Sequence, residues 1–235
     1  FKVIAAGRRF GKTYLAITML IHWAMSCRED IPFSKRNLYY VAPTFQQAKD
    51  IAWNLLKEML GPLLAQAHEN TGVATLINGV RISLKGSDRP DTLRGVALLG
   101  CVIDEYADMK PFVYQEIISP CLADLEAPCL FIGTPKGRNH FYDLSLTAQA
   151  EEDHAYWHFT SFDNPFLNPK EIEKQRRRMS TFQFEQEFLS SFNTAASDVF
   201  HPDWIKTNPR EPEDGWYVVT VDLAGFEDSA VAGKS

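Results

Sequence analysis

Polar residues with catalytic potential first occur in a short segment between two apolar runs near the start of the chain. The segment nearly matches the phosphate-binding pattern G-x-x-x-x-G-K-[ST], with alanine in the first position. Its residues are Ala6, Gly7, Arg8, Arg9, Phe10, Gly11, Lys12 and Thr13. Gly7 and Gly11 allow the backbone to fold around an anion, and the N-terminus of the following helix adds partial positive charge. We therefore predict that residues 6–13 bind the phosphates of a nucleoside triphosphate.

Lys12 and Thr13 are the residue types that complete such a loop. In this pattern the lysine contacts the β- and γ-phosphates, and the threonine hydroxyl binds Mg²⁺. The alternative is a basic turn in front of a core helix. An apolar strand before the segment and an apolar helix after it favour the phosphate loop. Arg8 lies inside this loop, where it is a candidate to place a cation in the subunit's own site.

Two acids, Asp104 and Glu105, follow the apolar run "LLGCVI". An acid at a strand end beside a phosphate loop binds Mg²⁺ directly or through water, and the next residue polarises the attacking water. Alone, this pair is more typical of an ordinary strand end that leads into a solvated helix. The phosphate loop earlier in the chain favours the catalytic interpretation.

Two further residues have weaker signals. Thr134, in "FIGTP", has a hydroxyl that either senses the γ-phosphate or caps the turn at Pro135. Arg94 lies in a loop before an apolar strand, where an arginine is usually only solvated. In an ATPase that works as a ring, however, a neighbouring subunit supplies a cation that neutralises charge in the transition state.

Asp222 ends another apolar run, "WYVVTVD", near the end of the sequence. A strand-end acid in a new domain is a candidate ligand for a two-metal nuclease site. The other carboxylates that such a site needs are absent from this sequence, so any nuclease site is incomplete.

Apolar patterning predicts the elements that position these residues. They are a strand over Lys2–Ala6, a helix over Thr13–Cys27, a strand ending at Pro43, a helix from Thr44 to Leu60 with a Thr44/Gln47 capping box, and a hairpin at Asn78-Gly79. Strands alternating with helices indicate an α/β fold, with a mainly parallel sheet covered by helices on both faces. Ligands bind at the carboxyl ends of such strands, so the three polar motifs should share one rim.

The pattern changes after residue 150. One more strand, "AYWHFTSF", precedes a turn-rich break and two helical stretches, Pro169–Met179 and Thr181–Phe192. We predict four parts: a P-loop ATPase core over 1–162, a helical lid over 163–192, a linker over 193–215 and the start of another domain over 216–235.

Composition limits the possible partners. The formal net charge is −6 over 235 residues, so no overall basic field indicates nucleic-acid binding, although a local basic patch remains possible. The longest apolar stretch, Leu15–Met25, is too short to span a bilayer, and we expect no membrane association. Because the sequence begins on a strand without an initiator methionine, we expect upstream sequence.

In combination and order, these motifs resemble the large terminase subunit of tailed bacteriophages. The similar segments are "AGRRFGKT", "VIDEYAD", "FIGTPKGRNHFYDL", "TSFDNPFLNP…FEQEFLSSF" and "VTVDLAGFEDSA". The resemblance implies an ASCE (RecA-like) P-loop ATPase followed by an RNase H-like nuclease domain. It also implies that Asp104 supports Mg²⁺, Glu105 activates water, Thr134 couples hydrolysis to movement, Arg8 acts in cis and Arg94 acts in trans.

The resemblance further implies a function and a set of partners. The protein would hydrolyse ATP to translocate double-stranded DNA into a procapsid, with Mg²⁺ or Mn²⁺ serving the nuclease in the full-length protein. Its partners would be the portal protein, the small terminase subunit and further copies in a homo-oligomeric ring, in the cytoplasm of the infected bacterial host cell. The family's adenine-binding segment would lie upstream of this sequence.

Two other functions remain open from the sequence. A superfamily 2 helicase or translocase also combines a phosphate loop with a DE motif and a later threonine. The lid and the strand ending at Asp222 argue against it, because a helicase continues into a second RecA-like domain. A nucleotide-gated scaffold would bind ATP without hydrolysing it, and Glu105 argues against that function.

Overall fold

A mainly parallel sheet forms the centre of residues 1–193, which are the residues that this computed structural model describes. Its strands are β1 (Lys2–Ala6), β2 (Asn37–Ala42), β3 (Leu64–His68), β4 (Val73–Leu76), β5 (Arg81–Gly86), β6 (Gly100–Asp104), β7 (Cys129–Gly133) and β8 (Ala155–Phe159). Within the described residues their order is β3-β4-β5-β2-β6-β7-β1-β8. The β3–β4 and β4–β5 pairs are antiparallel and the other five pairs of the described sheet are parallel, so the predicted α/β sheet is confirmed.

Helices cover both faces of the sheet. They are α1 (Lys12–Met25), α2 (Phe45–Ala48), α3 (Asn54–Leu60), α4 (Ser119–Ala123), α5 (His140–Ala150), α6 (Pro169–Arg176) and α7 (Thr181–Phe188). In the described part of the chain, no helix is long and apolar enough to cross a membrane.

The alternation of side chains along the strands creates two cores. Ile4, Tyr40 and Val102 pack under α1, α2 and α3, whereas their sequence neighbours pack against α4 and α5 on the other face. Asp104 lies two residues after Val102 and therefore projects towards the face that α1 covers. Strand periodicity thus places this acid on the same side of the sheet as the phosphate loop.

The predicted helix from Thr44 to Leu60 begins and ends as expected but is not continuous. Thr44 forms the capping box with Gln47, and the helix ends before Gly61. A π-helical turn, Lys49–Trp53, separates α2 from α3. Trp53, the last residue of this turn, is buried, and its indole N–H donates to Glu69.

The hairpin at Asn78-Gly79 is confirmed, since β4 and β5 pair antiparallel on either side of it. Gly79 has φ 79°, a conformation that favours glycine. The two later helices also occur where predicted, but both are shorter at their C-terminal ends. Ser190, with φ 59°, has the left-handed conformation that prevents α7 from continuing to Phe192.

Some predictions lie outside the described residues. The linker after residue 193 and the strand that ends at Asp222 belong to this part of the chain, so Asp222 as a nuclease ligand stays a prediction. The division between a core over 1–162 and a lid over 163–192 also stays a prediction.

Candidate active site

A cleft of about 1120 Å³ lies at the carboxyl ends of β1, β6 and β7, where the three polar motifs meet. Its lining includes Arg8, Lys12, Thr13, Glu105, Thr134 and Glu187. The first five come from the predicted motifs, and Glu187 comes from α7. The expected common rim is therefore present, and α7 contributes to it.

The loop between β1 and α1 explains why alanine replaces the first glycine of the phosphate-binding pattern. Ala6 is still a strand residue, fully buried and paired with Phe159 of β8. The unusual backbone occurs later, at Arg9 (φ 59°) and Gly11 (φ 110°). The turn that needs conformational freedom thus begins after Ala6.

Gly7 is required by close packing rather than by its backbone conformation. Its N–H donates to the Phe159 carbonyl at 3.0 Å, and the next N–H, of Arg8, donates to the Glu187 carbonyl at 2.7 Å. A Cβ atom at Gly7 would lie 2.5 Å from the carbonyl oxygen of Phe188. The phosphate loop is therefore in direct contact with the end of α7.

Lys12 directs its amine into this loop. Its Nζ donates to the carbonyls of Ala6 (2.9 Å) and Gly7 (3.2 Å) and to Oγ1 of Thr134 (2.9 Å). These three bonds use all the protons of the ammonium group. Burial lowers the pKa of Lys12, while the nearby charges of Glu105 and Asp104 oppose that change. A phosphate that accepts from Lys12 must therefore replace one of these partners.

Asp104 is buried at the end of β6 with both carboxylate oxygens engaged. The hydroxyl of Tyr40 donates to Oδ2, and the backbone N–H of Glu105 donates to Oδ1 at 2.9 Å. Burial raises the pKa of Asp104 to about 6, as does the charge of Glu105, whereas the bond from Tyr40 and the charge of Lys12 lower it. Burial also raises the pKa of Tyr40 well above its usual value, so this hydroxyl remains a donor.

Glu105 turns out of the sheet because its backbone is left-handed, with φ 53°. This conformation costs a residue other than glycine about 1 kcal/mol or more and is typical of functional positions. The carboxylate lines the cleft and accepts from the backbone N–H of Thr134 at 3.3 Å. The residue predicted to activate water is therefore held in the cleft by the neighbouring strand end.

Thr134 joins the other motifs. Its hydroxyl contacts Lys12 and the Ala6 carbonyl, while its backbone N–H contacts Glu105. The predicted alternatives for this residue were a phosphate sensor and a turn cap. The observed contacts place Thr134 between the phosphate loop and the acidic pair, and its role stays a prediction.

Arg8 and Arg94 occupy different environments. The guanidinium of Arg8 forms an ion pair with the Glu187 carboxylate, and this hydrogen bond is the main cause of its raised pKa. The side chain of Arg94 is 53% exposed, and its Nε lies 3.9 Å from Oδ1 of Asp91. Arg94 is not among the described residues that line the cleft. The structure therefore brings only the first of these arginines to the site of its own subunit.

Several residues at the site were not predicted. Ser161 donates to the Arg8 carbonyl, and Asn164 donates to the Arg9 carbonyl, both at 2.7 Å. Lys136 forms an ion pair with Asp108 at the edge of the cleft. The turn-rich segment "DNPFLNP" was a visible signal for Asn164. Because hydrogen bonds to loop carbonyls depend on the tertiary fold, the other contacts had no sequence signal.

The oxygen ligands at the rim suit Mg²⁺ bound together with a nucleotide. Residues 1–193 contain no cluster of three or more His, Cys, Asp or Glu side chains that could hold a metal. Mg²⁺ in nucleotide sites usually has only one or two protein ligands, and phosphates and waters complete its shell. Thr13 lines the cleft and offers its hydroxyl, whereas Asp104 is buried at the end of β6 and is not among the described lining residues, so it would act on the ion through water.

A P-loop NTPase fold with its motifs at one rim defines the class of this protein, and comparisons identify the family. Residues 3–207 match the family described as "Terminase large subunit, T4likevirus-type, N-terminal". The chain therefore belongs to the terminase large subunit family.

Relatives agree with this assignment. The chain is 33% identical over 135 residues to the terminase large subunit of Thermus phage G20c, covering 49% of this chain and 27% of that protein. It is 24% identical over 208 residues to the terminase large subunit of Escherichia phage T5, covering 85% of this chain and 45% of that protein. The chain thus spans less than half the length of either relative.

Solved structures support the fold. The Thermus phage P74-26 large terminase ATPase domain has a TM-score of 0.68 and 23% identity, covering 81% of this chain and 88% of that one. The large terminase of another thermophilic bacteriophage, solved in complex with ADP, has a TM-score of 0.69 and 22% identity, covering 89% of this chain and 54% of that one.

The raised pKa of Asp104 predicts a pH-dependent gain in stability when its charge is removed. Because the pKa of the folded state lies above the unfolded value of 3.8, folding loses stability as the pH rises from about 4 to about 6. We expect Asp104→Asn to raise the free energy of unfolding by about 3 kcal/mol at pH 8 and to lose this advantage below pH 4.

Urea unfolding of both proteins, without nucleotide or Mg²⁺, measures this difference. A variant that is less stable than the parent protein at pH 8 would show that the carboxylate's hydrogen bonds outweigh the cost of its burial.

Proposed function

We propose that this chain is the ATPase part of a viral DNA-packaging motor. The observation that carries the proposal is the hydrogen-bonded group at one rim, in which Thr134 contacts both Lys12 of the phosphate loop and Glu105 of the acidic pair. The large terminase that was solved with ADP, and that shares this fold, has also been solved with ATP-gamma-S. The comparisons give the helicase alternative no support.

Each residue has a distinct part in the proposed hydrolysis. Lys12 binds the β- and γ-phosphates, and Thr13 and Asp104 would hold Mg²⁺, which would neutralise charge on the phosphates. Glu105 accepts a proton from water as the water oxygen attacks the γ-phosphorus in line. The bond from this phosphorus to the β–γ bridging oxygen breaks, which yields ADP and inorganic phosphate.

Hydrogen bonds at the rim provide a route from phosphate binding to the neighbouring strand. A γ-phosphate that accepts from Lys12 replaces one of the lysine's present partners, and Thr134 is the only side chain among those three. Because Thr134 also contacts Glu105, occupancy of the phosphate loop changes the environment of the water-activating acid. This exchange is the proposed basis of the coupling role.

The two arginines are proposed to act from different subunits. Arg8 lies in the phosphate loop and neutralises the charge of its own nucleotide after leaving Glu187. Arg94 is exposed and lies away from the cleft, which suits a residue that reaches the nucleotide of a neighbour in a homo-oligomeric ring.

The whole protein's partners follow from its family and remain proposals. Family membership supports double-stranded DNA as the translocated substrate, the portal protein and the small terminase subunit as partners, and the cytoplasm of the infected host cell as the location. A nuclease domain that contains Asp222 and uses Mg²⁺ or Mn²⁺ is proposed for the full-length protein. A scaffold that binds ATP without hydrolysis is the remaining alternative. Steady-state release of phosphate from ATP would exclude it.

Substitutions at Lys12 and Glu105 should impair the protein in different ways. Lys12→Ala removes a phosphate contact, so we expect weaker nucleotide binding as well as loss of hydrolysis. Glu105→Ala should bind ATP normally but hydrolyse it roughly 10²-fold more slowly, because only the attacking water loses its base. Equilibrium binding and phosphate release distinguish the two effects. A parallel loss of affinity and turnover in the Glu105 variant would contradict its assignment as the base.

Mixing inactive subunits tests whether Arg94 acts in trans. An arginine finger contributes roughly 10³- to 10⁵-fold in rate, so Arg94→Ala should lose nearly all activity. In a ring that also contains Glu105→Ala subunits, the intact Arg94 of one subunit can serve the intact Glu105 site of its neighbour. We therefore expect phosphate release to recover when the two full-length variants are mixed.

Arg8→Ala mixed with Glu105→Ala is the matched control. This pair should not recover, because the missing cation belongs to the subunit's own site. Recovery in the control, or none in the Arg94 mixture despite demonstrated co-assembly, would refute the proposed division between the arginines.

A further inference from the structure

The carboxylate of Asp104 has a buried partner on the neighbouring strand. Tyr40 lies in β2, level with Val102 of β6, and its side chain is fully buried. Asp104 lies two residues further along β6, about 6.6 Å at the usual rise per residue. The long side chain of Tyr40 spans this offset, and its hydroxyl donates to Oδ2 of Asp104.

This contact and a second hydrogen bond fix the orientation of the carboxylate. The backbone N–H of Glu105 donates to Oδ1 of Asp104 at 2.9 Å. Each carboxylate oxygen therefore accepts one bond from the sheet and retains one further lone pair. A carboxylate constrained at both oxygens can present these lone pairs to a ligand in only one orientation.

The ring of Tyr40 could serve the core without its hydroxyl. Its carbon atoms pack among Ala42, Val102 and other apolar residues under α1, where phenylalanine would bury the same surface. A buried hydroxyl without a partner costs free energy, so the tyrosine hydroxyl is tolerated here because Asp104 accepts its hydrogen bond. Tyr39, on the same strand, provides a comparison, because its side chain packs on the opposite face of the sheet.

We infer that Tyr40 is a positioning residue, which orients the Asp104 carboxylate towards the Mg²⁺ of the bound nucleotide. The inference rests on the proposed function of Asp104 as a ligand of this ion. Partners that orient metal ligands typically contribute 10- to 100-fold to metal affinity or activity. Tyr40 is not among the described residues that line the cleft, so its effect must pass through the acid.

Conservative substitutions isolate the hydroxyl. Tyr40→Phe keeps the ring, and Tyr39→Phe removes a hydroxyl from the same strand on the other face. The measurement is the affinity of a fluorescent methylanthraniloyl-ADP probe during a Mg²⁺ titration. The Mg²⁺ concentration that gives half of the Mg²⁺-dependent gain in probe affinity should be roughly 10-fold higher for Tyr40→Phe than for the parent protein. The probe affinity in EDTA should be unchanged. Tyr39→Phe should behave like the parent protein.

Asp104→Asn separates failure of this inference from failure of the proposed function. If Asp104→Asn raises the Mg²⁺ requirement while Tyr40→Phe leaves it unchanged, Tyr40 is only a core residue and the inference is wrong. If neither variant changes the Mg²⁺ requirement, Asp104 does not hold the ion and the proposed function of this acid is wrong.

The double variant tests whether the two residues act as one unit, even if Tyr40→Phe lowers stability. In the Asp104→Asn background, Tyr40→Phe should raise the Mg²⁺ requirement no further, because its effect passes through the carboxylate. An equal additional shift in this background would mean that Tyr40 acts by another route, such as general loosening of the sheet.

Discussion

The candidate site depends on the parallel pairing of β7 between β6 and β1. This pairing brings the residues that follow three strands to one edge, although they are far apart in sequence. Thr134, just after β7, then bonds to Lys12 and the Ala6 carbonyl on one side and to Glu105 on the other. A shift of β7 by one residue would direct Thr134 to the opposite face and separate the phosphate loop from the acids.

A second set of contacts connects this edge to the helices after β8. The N–H of Arg8 donates to the Glu187 carbonyl, its guanidinium pairs with the Glu187 carboxylate, and its carbonyl accepts from Ser161. The backbone N–H, the carbonyl and Nε of this arginine are therefore all bonded to residues that follow the sheet in sequence. Any anion that attracts the guanidinium therefore competes directly with Glu187 of α7.

Local patterns were sufficient to predict most of the fold and the motif residues. Apolar runs located β1, β6 and β7, and the Thr44 capping box located the start of α2, because each signal depends on neighbours in sequence. The π-helical turn, the early end of α7 and the bond from Tyr40 to Asp104 were not predictable in this way. They depend on how side chains distant in sequence fill the space between strands and helices.

The central claim is that Thr134 connects phosphate binding by Lys12 to hydrolysis at Glu105. Thr134→Val keeps the shape of the side chain and the backbone bond to Glu105 but removes the hydroxyl that contacts Lys12. Single-turnover phosphate release from Mg²⁺-ATP, at saturating protein, tests the claim directly. The account predicts that ATP still binds but that the rate falls roughly 10²-fold, because phosphate binding at Lys12 no longer acts on Thr134 and, through it, on the position of Glu105. An unchanged single-turnover rate would contradict it.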